Sequence, residues 1–161
     1  MHRFPEEKLD PPLEKRTPEE QAEIAAYRTP AGALYVPGEA LRQALIRAAV
    51  YSKGKGRASL QKPLAACVTV EPEYLELGTD EYTIDSRSVV MPSTKGRVMR
   101  YRPRFDEWNI QATIGFDPAL VTEKQLREIV DNAGSRVGIL DWRPDRKGPM
   151  GRFVVTSWEA E

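Results

Sequence analysis

Residues 97 to 108 read RVMRYRPRFDEW, with four arginines (Arg97, Arg100, Arg102, Arg104) inside eight positions. Taken as a strand, the alternation puts Val98, Arg100, Arg102 and Arg104 on one face and Met99, Tyr101, Pro103 and Phe105 on the other. Like charges at every second residue repel one another and gain nothing from a core. They make chemical sense with an anion laid across them. A guanidinium forks onto phosphate oxygens, and Tyr101 or Phe105 can stack on a base where the strand twists. The plainer alternative is a solvated edge strand that uses its charge against aggregation, and Pro103 suits an edge in either case.

Two more segments carry the same chemistry. Lys53, Lys55 and Arg57 sit in the glycine-spaced loop KGKGR, with no acid from Ser52 to Lys62. Such a loop suits wrapping a phosphate backbone, or is simply solvated. Between residues 136 and 152 stand Arg136, Arg143, Arg146, Lys147 and Arg152 against Asp141 and Asp145, with Trp142 and three spaced glycines, Gly138, Gly148 and Gly151. Glycines let backbone N–H groups approach an anion closely, and Trp142 is either a stacking platform or a loop anchor. The three basic segments are expected to line one groove.

Other chemistries find little support. The lone histidine, His2, leaves no His-based acid–base pair and no His/Cys metal cluster. Cys67 reads as a packed thiol in an apolar strand. Asp85, Asp106, Asp141 and Asp145 could hold Mg2+ in a nuclease, but nothing in their spacing demands it, and pairing of Asp85 or Asp106 with a neighbouring arginine is the simpler reading. The expectation is a protein without catalysis, cofactor or metal.

The elements that must position these residues come from an ordinary composition. The chain has 161 residues, 40% hydrophobic and 30% charged, with a formal net charge of zero. The length suits one domain, and the charge is segregated: acids collect at residues 6 to 23, 71 to 85 and 117 to 131. A single cysteine, no apolar run of membrane length and no secretory leader point to the cytoplasm and away from membranes.

Residues 1 to 30 read as an arm ending in a short helix from Thr17, with Pro18 at its first position. Residues 31 to 161 read as one domain. ALYV (33 to 36) is a candidate strand. PGEALRQALIRAAVYS is a helix whose Leu41, Ala44, Leu45, Ala48 and Ala49 form one stripe, with Arg42 and Arg47 off it. Pro63 to Leu77 reads as β around Cys67 to Val70. Strands are then expected at YTIDSRSVVMP, RVMRYRPRF and WNIQATIGF. VTEKQLREIVDNAG is a helix capped by Thr122 and Gln125, with Leu126, Ile129, Val130 and Ala133 inward and Gly134 ending it. RFVVTSW is the last strand. The order suggests an α+β fold of the ferredoxin-like or RNA-recognition-motif plan, an antiparallel sheet with helices on one face and its first strand absent or atypical.

YVPGEALRQALIRAA resembles the strand, Pro-Gly and helix segment of RAMP proteins, which form the RNA-binding backbone of CRISPR effector complexes, and AGSRVGILDWRPDRKGPMGRF is similar to their glycine-rich loop. DSRSVV, RVMRYRPRFDEW, DWRP and GRF together are similar to phage and prophage proteins of that superfamily. The resemblance implies an RNA-recognition-motif-like fold, single-stranded nucleic-acid binding and often head-to-tail assembly, and it carries over onto Arg42 after Pro37-Gly38 and onto Arg136, Gly138, Arg143, Gly148 and Gly151 in the loop. The chain is therefore expected to bind single-stranded RNA or DNA without catalysis, self-associating or joining a larger nucleoprotein assembly. The alternative is a phage structural or interaction protein whose arginines meet an acidic protein partner.

Overall fold

The computed structural model describes residues 1, 11–54, 56, 58–91 and 93–160. In chain order the elements are α1 (Pro18–Ala25), β1 (Tyr35–Pro37), α2 (Gly38–Ala48), α3 (Gln61–Cys67), β2 (Thr69–Glu71), β3 (Tyr74–Glu76), β4 (Thr83–Val90), β5 (Arg97–Arg104), β6 (Thr113–Gly115) and α4 (Glu123–Asn132). The class is α+β. Strands pair in twos, as β1 with β3, β2 with β6 and β4 with β5. Among the described residues no helix is long and apolar enough to cross a membrane.

The chain divides into two compact units, Met1–Tyr35 with Glu76–Ile110, and Val36–Leu75 with Gln111–Glu161. This division does not follow the boundary read at residue 30, because α1 goes with the β4–β5 hairpin.

In the first unit, α1 starts from a reciprocal cap. The Glu20 N–H donates to Thr17 Oγ1 at 3.2 Å, and the Thr17 N–H donates to the Glu20 carboxylate at 2.9 Å. Its buried face is small, made of Ala22 and Ala25 and continued by Ala26, so the helix can lie close along β5. β4 and β5 pair antiparallel over eight residues each, from Thr83↔Arg104 to Val90↔Arg97. The turn closes through the Lys95 N–H on the Met91 carbonyl and the Met91 N–H on the Gly96 carbonyl, both at 2.9 Å.

The second unit holds the larger core. Leu41, Ala44, Leu45, Ala48 and Ala49 of α2 and the residue after it form the expected buried stripe, joined by Leu64, Val121, Leu126, Ile129, Val130 and Ala133. α4 carries the expected cap, with the Gln125 N–H on Thr122 Oγ1 at 3.3 Å and the Thr122 N–H on the Gln125 side chain at 2.9 Å. Residues beyond Gly134 continue in a wider turn, Ala133–Val137, and the stop is Gly138 at φ 72°.

Four expectations are corrected here. Gln61–Cys67 is a helix rather than the start of a strand. Pro63 fits its first turn, where the missing N–H has no intrahelical acceptor to lose. Cys67 ends that helix and is only half-buried. WNIQATIGF pairs only at Thr113–Gly115, because its partner β2 is itself three residues long. RFVVTSW forms no strand. That segment is tied instead to the end of α4 and the loop after it, by the Phe153 N–H on the Gly134 carbonyl at 3.3 Å and the Ile139 N–H on the Gly151 carbonyl at 2.9 Å.

Candidate nucleic-acid interface

Residues opposite each other in an antiparallel pair share a face. The register Thr83↔Arg104, Asp85↔Arg102, Arg87↔Arg100 and Val89↔Val98 therefore collects Arg87, Arg100, Arg102 and Arg104 on one side of the hairpin. Asp85 is the one acid the two strands contribute to that side. The face division expected for β5 holds, and β4 adds Arg87.

Burial is mixed on both sides: Arg104 is exposed, and on the opposite side Pro103 is fully buried. Asp85, Arg87, Arg100 and Arg102 are half-buried, while Ile84, Val90 and Met99 on the opposite side are 37%, 51% and 45% exposed. Carboxylates make that possible. The Arg87 Nε and Nη2 donate to the two Asp85 oxygens at 2.5 and 2.7 Å. Arg100 Nη2 lies 2.6 Å from Glu14, on a 3-10 turn (Leu13–Lys15) beside β5, and Arg104 Nη2 lies 2.6 Å from Asp106. Among the described residues, Asp85, Glu14 and Asp106 are the carboxylates paired here with Arg87, Arg100 and Arg104. Arg100 Nη1 is enclosed with no hydrogen-bond acceptor among the described residues.

The hydrogen bonds from Arg87 hold the Asp85 carboxyl below its ordinary range, against the opposing effect of burial, with the charges of Arg87, Arg104 and Arg102 adding to the depression. Glu14 is lowered mainly by its bond from Arg100. A carboxyl depressed in the folded state stabilises the fold fully above its unfolded pKa, about 4, and loses that contribution as pH falls through the lower folded value. Thermal melting should therefore be level from pH 7 to about 5 and fall below about 4. Asp85→Asn should flatten part of that fall; an unchanged acid limb would remove Asp85 from it.

The other cations named from the sequence sit as follows. Arg97 pairs across from Val90, on the hairpin side away from the arginine face and shared with Tyr101, and is exposed. In the second unit, Arg42 spends its donors on structure: Nε on the Val68 carbonyl at 2.9 Å, Nη2 on the Ala65 carbonyl at 3.2 Å and Nη1 on Glu39 at 3.3 Å. It clasps the C-terminal end of α3, where unsatisfied carbonyls attract a cation. Arg136 lies 4.8 Å over the ring of Tyr51. Lys53 is exposed; Lys55 and Arg57 lie outside the described residues. Arg143 donates to the Leu140 carbonyl at 2.8 Å and shares Asp145 with Arg47. Arg146 and Lys147 are exposed, and Trp142 is 44% exposed.

The loop glycines are not presented to an anion as expected. A Cβ on Gly148 would stand 1.9 Å from the Trp142 carbonyl oxygen, and one on Gly151 would stand 2.0 Å from that of Ile139. They let loop backbone pack on loop backbone. The basic strand belongs to the first unit, and loops 53 to 57 and 136 to 152 to the second.

Among the described residues no group of three or more His, Cys, Asp or Glu side chains is placed to hold a metal ion. The pairings of Asp85 with Arg87 and Asp106 with Arg104 follow the simpler expectation for these acids. Comparison with known proteins finds no match: no family model, no curated protein and no solved structure.

Proposed function

We propose that this chain binds single-stranded nucleic acid, RNA or DNA, without catalysis, and that the arginine side of the β4–β5 hairpin receives the phosphate backbone. One observation carries the reading: the strand register gathers four guanidinium groups on one side with a single strand-borne acid. Such a row can be occupied by a polyanion, with phosphate oxygens exchanging for Glu14 on Arg100 and for Asp106 on Arg104. Lys53, Arg136, Arg146 and Lys147 of the second unit are proposed as separate contacts.

The likeness to RAMP proteins belongs to the same proposal. What supports it is the step from β1 directly into α2 at Pro37-Gly38, and α4 after β6, with α2 and α4 in contact. A ferredoxin-like plan, head-to-tail assembly, a cytoplasmic location and a phage-type origin go with that likeness. Each sheet has only two strands, so open strand edges favour self-association.

Contacts made to the backbone imply weak sequence preference and strong salt dependence. For an exchange of three or four phosphates on a single strand, log affinity should fall against log salt with a slope of roughly −2 to −3. The test is fluorescence anisotropy of a labelled oligonucleotide from low to high salt. A second reading rests on the Glu14–Arg100 pair, which puts a protein carboxylate on this same side: an acidic protein segment would be the natural ligand. No binding of any oligonucleotide at low salt would select it.

A further inference from the structure

At the end of the hairpin where Thr83 pairs with Arg104, a cleft of 620 Å3 opens in the first unit. This falls within the roughly 300–1,000 Å3 range of small-molecule sites. Three aromatic side chains line it, Tyr82, Phe105 and Trp108, all half-buried, with Arg104, Glu81 and Glu107 at its exposed rim. Tyr82 is fixed on both ends. Its hydroxyl donates to Glu23 at 2.8 Å, and its ring meets Phe105 edge-on at 6.2 Å and 65°.

We infer that this cleft is a nucleobase subsite, taking the base of the nucleotide whose phosphate lies on Arg104; this rests on the reading of the arginine side given above. The placement follows from charge. Glu81, Asp106 and Glu107 line the cleft, and they disfavour a phosphate inside it, so the anion stays on the arginine side. The uncharged base is the part that enters, against a fixed pair of aromatic rings. Carboxylates at the rim accept from exocyclic amino groups, as acidic side chains do from the cytosine amino group. Uracil presents carbonyl oxygens there and is repelled. The subsite accordingly adds a preference for amino-bearing bases to an otherwise sequence-tolerant backbone grip.

The test uses the full chain and labelled ten-residue RNA oligomers of C and of U, read by anisotropy at low salt. Wild type should bind the C oligomer about fivefold more tightly than the U oligomer. Phe105→Ala should weaken the C oligomer about tenfold or more. Trp108→Leu should do the same, with circular dichroism confirming that both variants fold. The double variant Glu81→Gln/Glu107→Gln, both at exposed positions, should weaken the C oligomer about fivefold, to the level of the U oligomer. Equal binding of both oligomers, unmoved by any of these changes but weakened by Arg102→Ala/Arg104→Ala, would overturn the base subsite and leave the arginine reading standing. No binding of either oligomer by wild type would overturn both. Tryptophan quenching by N-acetylargininamide and not by cytidine monophosphate would assign the cleft to a cationic side chain and overturn the inference.

Discussion

Arg100→Ala/Arg102→Ala/Arg104→Ala should abolish oligonucleotide binding while the protein still folds. Each arginine that takes a phosphate gives up a carboxylate or protein contact, so its net worth is near that of a surface ion pair, about 1 kcal/mol. Three such contacts sum to about 3 kcal/mol, more than a hundredfold in affinity. The fold should tolerate the change because the hairpin is held by its backbone ladder and by the alanine face of α1, which the three side chains do not form. Removing Arg100 leaves Glu14 without its partner, but its side chain is 43% exposed and returns to water. Anisotropy and a thermal melt on the same sample check both halves. Unchanged affinity with an unchanged melt would remove the arginine side from any binding role.

A large effect on stability is expected at two glycines of the second unit. Gly151→Ala would hold an alanine at φ 70° and set its Cβ 2.0 Å from the Ile139 carbonyl oxygen. Gly134→Ala would set a Cβ 2.1 Å from the carbonyl oxygen of Phe153. In both cases the obstacle is backbone, which cannot swing aside as a side chain can. Both contacts flank the hydrogen bonds that pin residues 151 to 153 to the turn after α4. Overpacking of this kind costs about 3 kcal/mol, a fall in melting temperature of roughly 6 to 12 °C for a chain of this size. Differential scanning calorimetry checks it. A shift below about 2 °C would mean that this loop yields easily and that its glycines serve something other than packing.

The parts of the molecule that could be read from sequence are those set by neighbours along the chain. α2 and α4 show their buried stripes at helical spacing, α1 shows Pro18 at its start, and Thr122 sits three residues before Gln125, as capping needs. The two faces of β5 follow from alternation alone. What stayed hidden depends on partners distant in sequence. Glu14 reaches Arg100 across 86 positions, and the cleft unites residues 77 to 83 with 104 to 109. Arg42 looks like any off-stripe arginine until the end of α3 is seen under it. The β-rich composition of residues 63 to 77 conceals α3, since short apolar runs carry no period long enough to separate helix from strand. β6 is short because β2 is short, a limit that belongs to the pair and not to WNIQATIGF. Arg87 was legible as a charge, but only the register with Arg100 makes it part of one row.

The most direct measurement is a two-dimensional NMR titration of the uniformly labelled chain with a single-stranded oligonucleotide, following backbone amides and arginine Nε–H signals together. The Nε–H signals of Arg87, Arg100, Arg102 and Arg104 should move or sharpen as one set at low salt and return as salt rises. An oligonucleotide that binds and leaves those four signals in place would contradict the assignment of the phosphate backbone to this side of the hairpin.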